Sequence, residues 1–223
     1  MKAMILAAGR GERLRPLTDE TPKPLLRAGG CTLIEHHLHK LAAAKFEEVV
    51  INIWWLGAMI RNVLGDGASY GLRIRYSEEH PEPLETGGGM CNALRLLGDK
   101  PFLAINADVW TDYVPKAIRL TDNDLAHLVL VDNPAHNAGG DFRLHGARLR
   151  ADGSPLLTFS GIGYYRPAFF RGCASGDKFP LAPLLRAAAR RNQVSAEHYA
   201  GAWFDIGTPE RLETLHSHFA TGA

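Results

Sequence analysis

Two glycines followed closely by cations are the first residues in this chain whose types and spacing could do chemistry. Leu6-Ala7-Ala8-Gly9-Arg10-Gly11-Glu12-Arg13 leaves an apolar run with small residues, and Arg15 and Lys23 follow. Backbone N–H groups in such a loop can close on a phosphate because no Cβ stands in the way. Arg13, Arg15 and Lys23 would bring the cations that a triphosphate needs. Lys23 lies between Pro22 and Pro24, which restrict the backbone and present its ammonium at low entropic cost. The common phosphate loops do not fit. A dinucleotide fingerprint needs Gly at position 14, where Leu14 stands, and a P-loop needs Gly-Lys-Ser/Thr where the chain reads Leu-Arg-Pro. The glycines alone also fit a tight surface turn, and the cations a solvated basic loop, which is the reading for Arg10 and Arg27.

Carboxylates supply the other half of the chemistry. Asp108 closes Asn106-Ala107-Asp108 behind an apolar run, and Asp205 sits in Trp203-Phe204-Asp205-Ile206-Gly207-Thr208-Pro209. Singly, each reads as a cap or turn residue. Beside a triphosphate loop they become a pair able to hold Mg²⁺, which takes one or two carboxylates plus phosphate oxygens. Asp112, Asp122 and Asp124 lack that setting and are expected at solvent or helix ends. His36-His37 and His216-x-His218 are expected on helix surfaces, not at a metal. The stretch from Glu78 to Met90 holds Glu79, Glu85, Thr86 and three glycines. Those glycines would admit a flat base against the backbone while an acceptor side chain reads its edge. A Gly-rich start of a helix is equally compatible.

These residues need a scaffold. Short apolar β-type runs alternate with helical patterns, which predicts an α/β domain around a mainly parallel sheet. Met4–Ala7, Val49–Ile53, Leu72–Tyr76 and Phe102–Asn106 are expected strands; Leu33–Ala44, Ala58–Leu64 and Met90–Leu97 are expected helices. That order predicts a Rossmann-like, doubly wound mixed sheet with helices on both faces, and Asp108 at a strand's C-terminal end, where such sheets bind ligands. In the second half, Leu128–Val131 reads as a strand, Phe142–Thr158 as extra β-hairpins, and Leu181–Arg191 and Arg211–Phe219 as helices. The second of these is capped by Thr208 and Pro209.

Composition narrows the class. Twenty-five Lys and Arg against 24 Asp and Glu leave too little positive charge for a general nucleic-acid binder. No apolar run approaches the roughly 18 residues of a membrane span, and the N-terminus lacks the form of a signal peptide. Three scattered cysteines without a C-x-x-C pair predict neither a disulfide framework nor structural zinc, so the expected address is cytoplasmic.

The segment Leu6-Ala7-Ala8-Gly9-x-Gly11-x-Arg13-Leu14-x-Pro16-Leu17-Thr18 with Pro22-Lys23-Pro24-Leu25 resembles the signature of the sugar-1-phosphate nucleotidylyltransferases. The resemblance implies a nucleotide-diphospho-sugar transferase fold. It also implies one domain over 1–223, with a nucleotide-binding half at 1–110 and a sugar-binding half at 111–223. Leu6, Ala8, Gly9, Gly11, Glu12 and Asn106 would line the nucleotide. Arg13 would grip the pyrophosphate, Lys23 would contact the α-phosphate, and Asp108 and Asp205 would bind Mg²⁺, Asp108 serving catalysis. Base contacts would fall on Glu79, the backbone of Glu85, Thr86 and Gly87; Gly140, Asp141, Ser160 and Gly161 would meet the sugar.

Two departures stand out. Leu84-Glu85-Thr86-Gly87 replaces the family's more frequent Leu-Gly-Thr-Gly, and the Glu-Lys-Pro segment, whose lysine approaches the sugar phosphate, has no counterpart between Phe142 and Phe159. With Asn137-x-x-Gly-Asp-Phe and no appended β-helix, the chain is most similar to the N-acetylmuramate-1-phosphate uridylyltransferases of bacterial cell-wall recycling. That implies UTP and a sugar 1-phosphate with a lactyl carboxylate as partners, as monomer or dimer, without nucleic acid or membrane. A guanylyltransferase for mannose or heptose 1-phosphate is the alternative within the class. A nucleotide-sugar sensor without turnover is the alternative outside it, and the joint presence of Arg13, Lys23, Asp108 and Asp205 counts against it.

Overall fold

A computed structural model describes residues 1–221, so the last two positions of the expected 1–223 unit lie outside the described residues. The first half is built from β1 (Lys2–Leu6), α1 (Leu17–Glu20), β2 (Arg27–Ala28), β3 (Cys31–Thr32), α2 (Leu33–Ala43), β4 (Glu48–Ile53), α3 (Gly57–Leu64), β5 (Arg73–Glu78), α4 (Glu85–Leu97) and β6 (Phe102–Asn106). Then follow β7 (Val109–Thr111), β8 (Ala126–Val131), β9 (Arg143–His145), β10 (Arg148–Arg150), β11 (Thr158–Tyr165), α5 (Leu181–Arg190), β12 (Val194–His198), β13 (Trp203–Asp205) and α6 (Pro209–Thr221).

Nine strands form one sheet in the order β5-β4-β1-β6-β11-β8-β12-β10-β9. The first four pair in parallel, β11 runs antiparallel to both β6 and β8, and β12 is parallel to β8. The expected Rossmann-like, mixed and mainly parallel sheet is therefore present. Its chain reversal falls between β1 and β6, where Leu6 lies opposite Asn106, and a crevice opens there at the strands' C-terminal ends.

Alternation along the central strands sends side chains to two cores. Met4, Phe102 and Ala104 pack with Met90, Leu97, Leu181 and Leu185 of α4 and α5. Ala3, Ile5 and Leu103 pack with Ile34, Leu38 and Ile60 of α2 and α3 on the other face. Helices therefore cover both faces, as near-continuous apolar strands require. The α2 start is fixed by a capping box in which Thr32 accepts from the Glu35 N–H and Glu35 accepts from the Thr32 N–H. A third cluster joins Leu14, Leu26, Trp110, Ile206 and Leu215, tying the glycine loop to α6.

Several expectations need correction. Helix α4 starts at Glu85, five residues before Met90, so the three glycines lie inside it. Asp124 is buried and pairs with Arg148 at 2.6 Å. Burial opposes its charge, but the Thr121 hydroxyl and Arg148 outweigh this and hold it below the usual carboxylate range. His37 is buried, not on a helix surface; burial, then Lys40, push its pKa down to about 4. Strand β12 is not marked in the sequence because only two residues of Val-Ser-Ala-Glu-His are apolar, and its pairing with β8 is a long-range event.

Candidate active site

The glycine loop leaves β1 and turns at Gly11, whose φ of +71° suits glycine. A Cβ there would meet Thr18 Cγ2 at 3.1 Å and Lys23 Cβ at 3.2 Å, whereas nothing lies within 4 Å of a Cβ built on Gly9. The first glycine is thus the open one, and the second permits close packing. Thr18 donates from Oγ1 to the Gly11 carbonyl at 2.8 Å. Trp55 donates from Nε1 to the Thr18 carbonyl at 2.9 Å, and the Arg10 guanidinium stacks over its ring. Arg10 is therefore a clamp on the loop and not the free solvated cation expected.

A cavity of about 220 Å³ opens beneath the loop, walled by Leu6, Ala8, Gly9, Gly11, Lys23, Glu85, Thr86, Asn106 and Asp108. This convergence brings together most of the residues expected at a nucleotide. Glu12 is exposed in the turn and stands off the wall, and the neighbouring Arg13, also exposed, lines a second cavity instead. Gly87 is off it too: a Cβ there would lie 2.5 Å from the Phe179 ring, and one on Gly88 would lie 2.1 Å from the Asp177 carbonyl. The Cβ sides of these two glycines are thus filled by another part of the protein.

Asn52 is a wall residue that the sequence reading missed. Its Oδ1 accepts from the Ala7 N–H at 2.8 Å, and its Nδ2 donates to Glu79 Oε1 at 2.6 Å. Glu79 Oε2 accepts from the Leu84 N–H at 2.7 Å. Both are buried. Burial raises the Glu79 pKa above the usual carboxylate value, with the Asn52 and Leu84 bonds opposing. Both oxygens of Glu79 are thus engaged within the protein, and a chain of hydrogen bonds links β1, β4 and the start of α4. Asn52 is a single buried polar residue inside the apolar run of β4, a weak signal that does not by itself mark a site.

Asp108 and Asp205 come together through the ribbon of β7 and β13. Asp205 pairs with Val109, and Ile206 donates to the Asp108 carbonyl at 2.8 Å. Both face a second cavity of about 310 Å³, which Arg13, His136, Asn137 and Asp141 also line. Lys23 pairs with Asp108. Arg211 donates from Nη1 to Asp205 Oδ2 at 2.7 Å, and His136 approaches the same oxygen at 3.1 Å. His136 and Arg211 were also missed; each becomes meaningful only once the ribbon places Asp205 beside it. The donor chemistry suits a hard divalent cation. No cluster of three or more His, Cys, Asp or Glu occurs among the described residues, so substrate oxygens or water would complete the coordination.

The expected sugar residues divide. Asp141, Ser160 and Gly161 line the second cavity. Gly140 does not; its φ of +67° and the nearby Leu156 show a turn role. Gly161 occupies a bulge of β11 with φ +78°, and a Cβ there would strike Asn106 Nδ2 at 2.7 Å. Ser160 donates to the Val129 carbonyl at 2.7 Å and accepts from the Ile162 N–H. Its hydroxyl holds the bulge together.

The nucleotidyl transferase sequence pattern matches residues 2–138. An N-acetylmuramate alpha-1-phosphate uridylyltransferase of Neisseria meningitidis serogroup B is 51% identical over 221 residues, 96% of each chain. The chain belongs to the nucleotidyl transferase family. A Caulobacter vibrioides protein with the same designation is 32% identical over 93% of this chain and 92% of its own. The crystal structure of a Bacillus anthracis protein assigned as a glucose-1-phosphate thymidylyltransferase superposes with a TM-score of 0.85, covering 97% and 94% of the two chains. At 20% identity it shows the shared fold. This nucleotidyl transferase is thus an enzyme of the sugar-1-phosphate class, whose substrates are a nucleoside triphosphate and a sugar phosphate. The family match ends before Asp205, whose placement beside Asp108 comes from the fold. No helix among the described residues is long and apolar enough to cross a membrane.

Proposed function

We propose that this nucleotidyl transferase transfers UMP from UTP to N-acetylmuramate 1-phosphate, releasing pyrophosphate. The observation that carries the reading is the meeting of two cavities at Asn106 and Asp108. One lies under a glycine loop at the sheet's crevice and the other under the second half of the chain. The similarity to N-acetylmuramate alpha-1-phosphate uridylyltransferases over nearly the whole chain supports this pair of substrates.

The sugar phosphate oxygen is already anionic at neutral pH, so the reaction needs no general base. That oxygen forms a bond to the α-phosphorus of UTP as the bond to the bridging oxygen breaks and pyrophosphate departs. Catalysis then rests on positioning and charge neutralisation. In this reading the backbone of Ala8, Gly9 and Gly11 faces the phosphates. Lys23 neutralises the α-phosphate and Arg13 the departing pyrophosphate. Thr86 and the backbone of Glu85 contact the base, while Glu79 positions that wall through Asn52 and Leu84. Asp141 and the bulge at Gly161 face the sugar. Asp108 and Asp205 would hold Mg²⁺, which would supply Lewis-acid stabilisation of the phosphate charge. Residues 1–110 serve the nucleotide and 111–223 the sugar within one domain.

Pyrophosphate release with Mg²⁺ tests the reading, crossing UTP, GTP, dTTP and CTP with the 1-phosphates of N-acetylmuramate, N-acetylglucosamine, glucose, mannose and heptose. Release confined to UTP with N-acetylmuramate 1-phosphate is expected. Preference for GTP with mannose or heptose 1-phosphate would overturn the substrate assignment and leave the reaction type standing.

A further inference from the structure

A third cavity, of about 260 Å³, opens off the other two. It shares Asn106, Asp141 and Phe159 with the second cavity and Thr86 and Asn106 with the first. Its wall is largely apolar, from Phe142, Phe159, Leu181 and Leu185, and its cation is Arg186 of α5. The guanidinium lies 5.1 Å from the Phe142 ring centroid, and Nη1 reaches only as far as the Asp141 carbonyl, at 3.5 Å. Among the described residues Arg186 enters no ion pair. Asp141, the acid of this wall, has Oδ2 bonded to the Phe159 N–H at 2.9 Å.

We propose that Arg186 binds the lactyl carboxylate of the sugar substrate and thereby selects muramate over glucosamine 1-phosphates. This rests on the substrate proposed above. The lactyl arm is a single carboxylate and methyl on a short ether. An apolar chamber with one unpaired guanidinium, adjoining the sugar cavity, offers both complements. Arg presents a fork of donors that matches a carboxylate bidentately. A half-buried cation in apolar surroundings gains most from an anion brought by the ligand. A glucosamine 1-phosphate lacks the arm and would leave the guanidinium unpaired, which is how a polar site rejects an analogue missing its partner group.

Steady-state kinetics of wild type, Arg186→Gln and Arg186→Lys, with UTP and each of N-acetylmuramate and N-acetylglucosamine 1-phosphates, test the proposal. Arg186→Gln is expected to raise KM for the muramate substrate about tenfold to a hundredfold. Its KM for UTP should change less than about twofold, and Arg186→Lys should recover part of the loss. Muramate selectivity should fall because kcat/KM for the glucosamine substrate changes little. An unchanged muramate KM in a folded Arg186→Gln variant overturns the role of Arg186 alone. Equal losses on both sugars also overturn it, as the mark of a structural residue. Wild type that turns over other sugar phosphates but not the muramate substrate overturns the substrate assignment, and this inference with it.

Discussion

Lys23 and Asp108 form an ion pair across 85 residues of chain. The lysine is almost buried, while a third of the Asp108 side chain remains exposed. The cation expected at the α-phosphate and the carboxylate expected at the metal thus hold one another at the point where the first and second cavities meet. A charge fixed in place before substrate arrives need not reorganise during reaction.

Asp108→Asn is expected to lower kcat about 10²–10³-fold, since it removes a charge from the reacting centre and the partner of Lys23. Circular dichroism should stay native, because Asp108 is partly exposed. Pyrophosphate release within threefold of wild type would remove Asp108 from the proposed chemistry.

Gly89→Ala reverses an ordinary sign. In a helix interior this change usually stabilises by about 1 kcal/mol. Here the new Cβ would lie 2.6 Å from Glu79 Oε1 and 2.9 Å from Asn52 Nδ2, and overpacking of this kind costs about 1–3 kcal/mol. Urea unfolding should show a net loss of stability. KM for UTP should rise, because the Asn52–Glu79 pair shapes the cavity wall.

Glu85 adopts φ +60° at the start of α4, a strained conformation for a residue with a Cβ. Glu85→Gly should stabilise the protein by about 0.5–1 kcal/mol, relief of strain exceeding the added freedom of the unfolded chain. KM for UTP should stay within about twofold if the backbone makes the contact. A destabilised variant in thermal melts would mean that the side chain earns its place elsewhere.

His37 gives a pH signature. Burial, reinforced by Lys40, lowers its folded pKa to about 4 from an ordinary 6.5. Below pH 6.5 the unfolded chain takes up a proton that the folded chain refuses, so stability falls as pH drops toward 4. The contribution approaches about 3 kcal/mol. His37→Leu should flatten the dependence of unfolding free energy on pH between 6.5 and 4.5. An unchanged slope would locate the titration in another group.

The sequence alone determined the scaffold's first half and the place of the glycine loop in it. Apolar runs at β1, β4 and β6 and helical spacing between them are local signals, and the glycines, Arg13 and Lys23 lie within one short segment, so neighbouring residues carried their meaning. Asp108 was legible because it follows the last of those strands. Only the tertiary structure decided what depends on packing between distant segments. It set Asp205 beside Val109 and His136, gave Asn52 and Glu79 to each other, and filled the space over Gly87 and Gly88 with Phe179 and Asp177. A hydrogen bond between residues 27 apart or a ring seated on a glycine leaves no periodicity to read. Its energy comes from burial and satisfied polar groups that exist only once the sheet has closed.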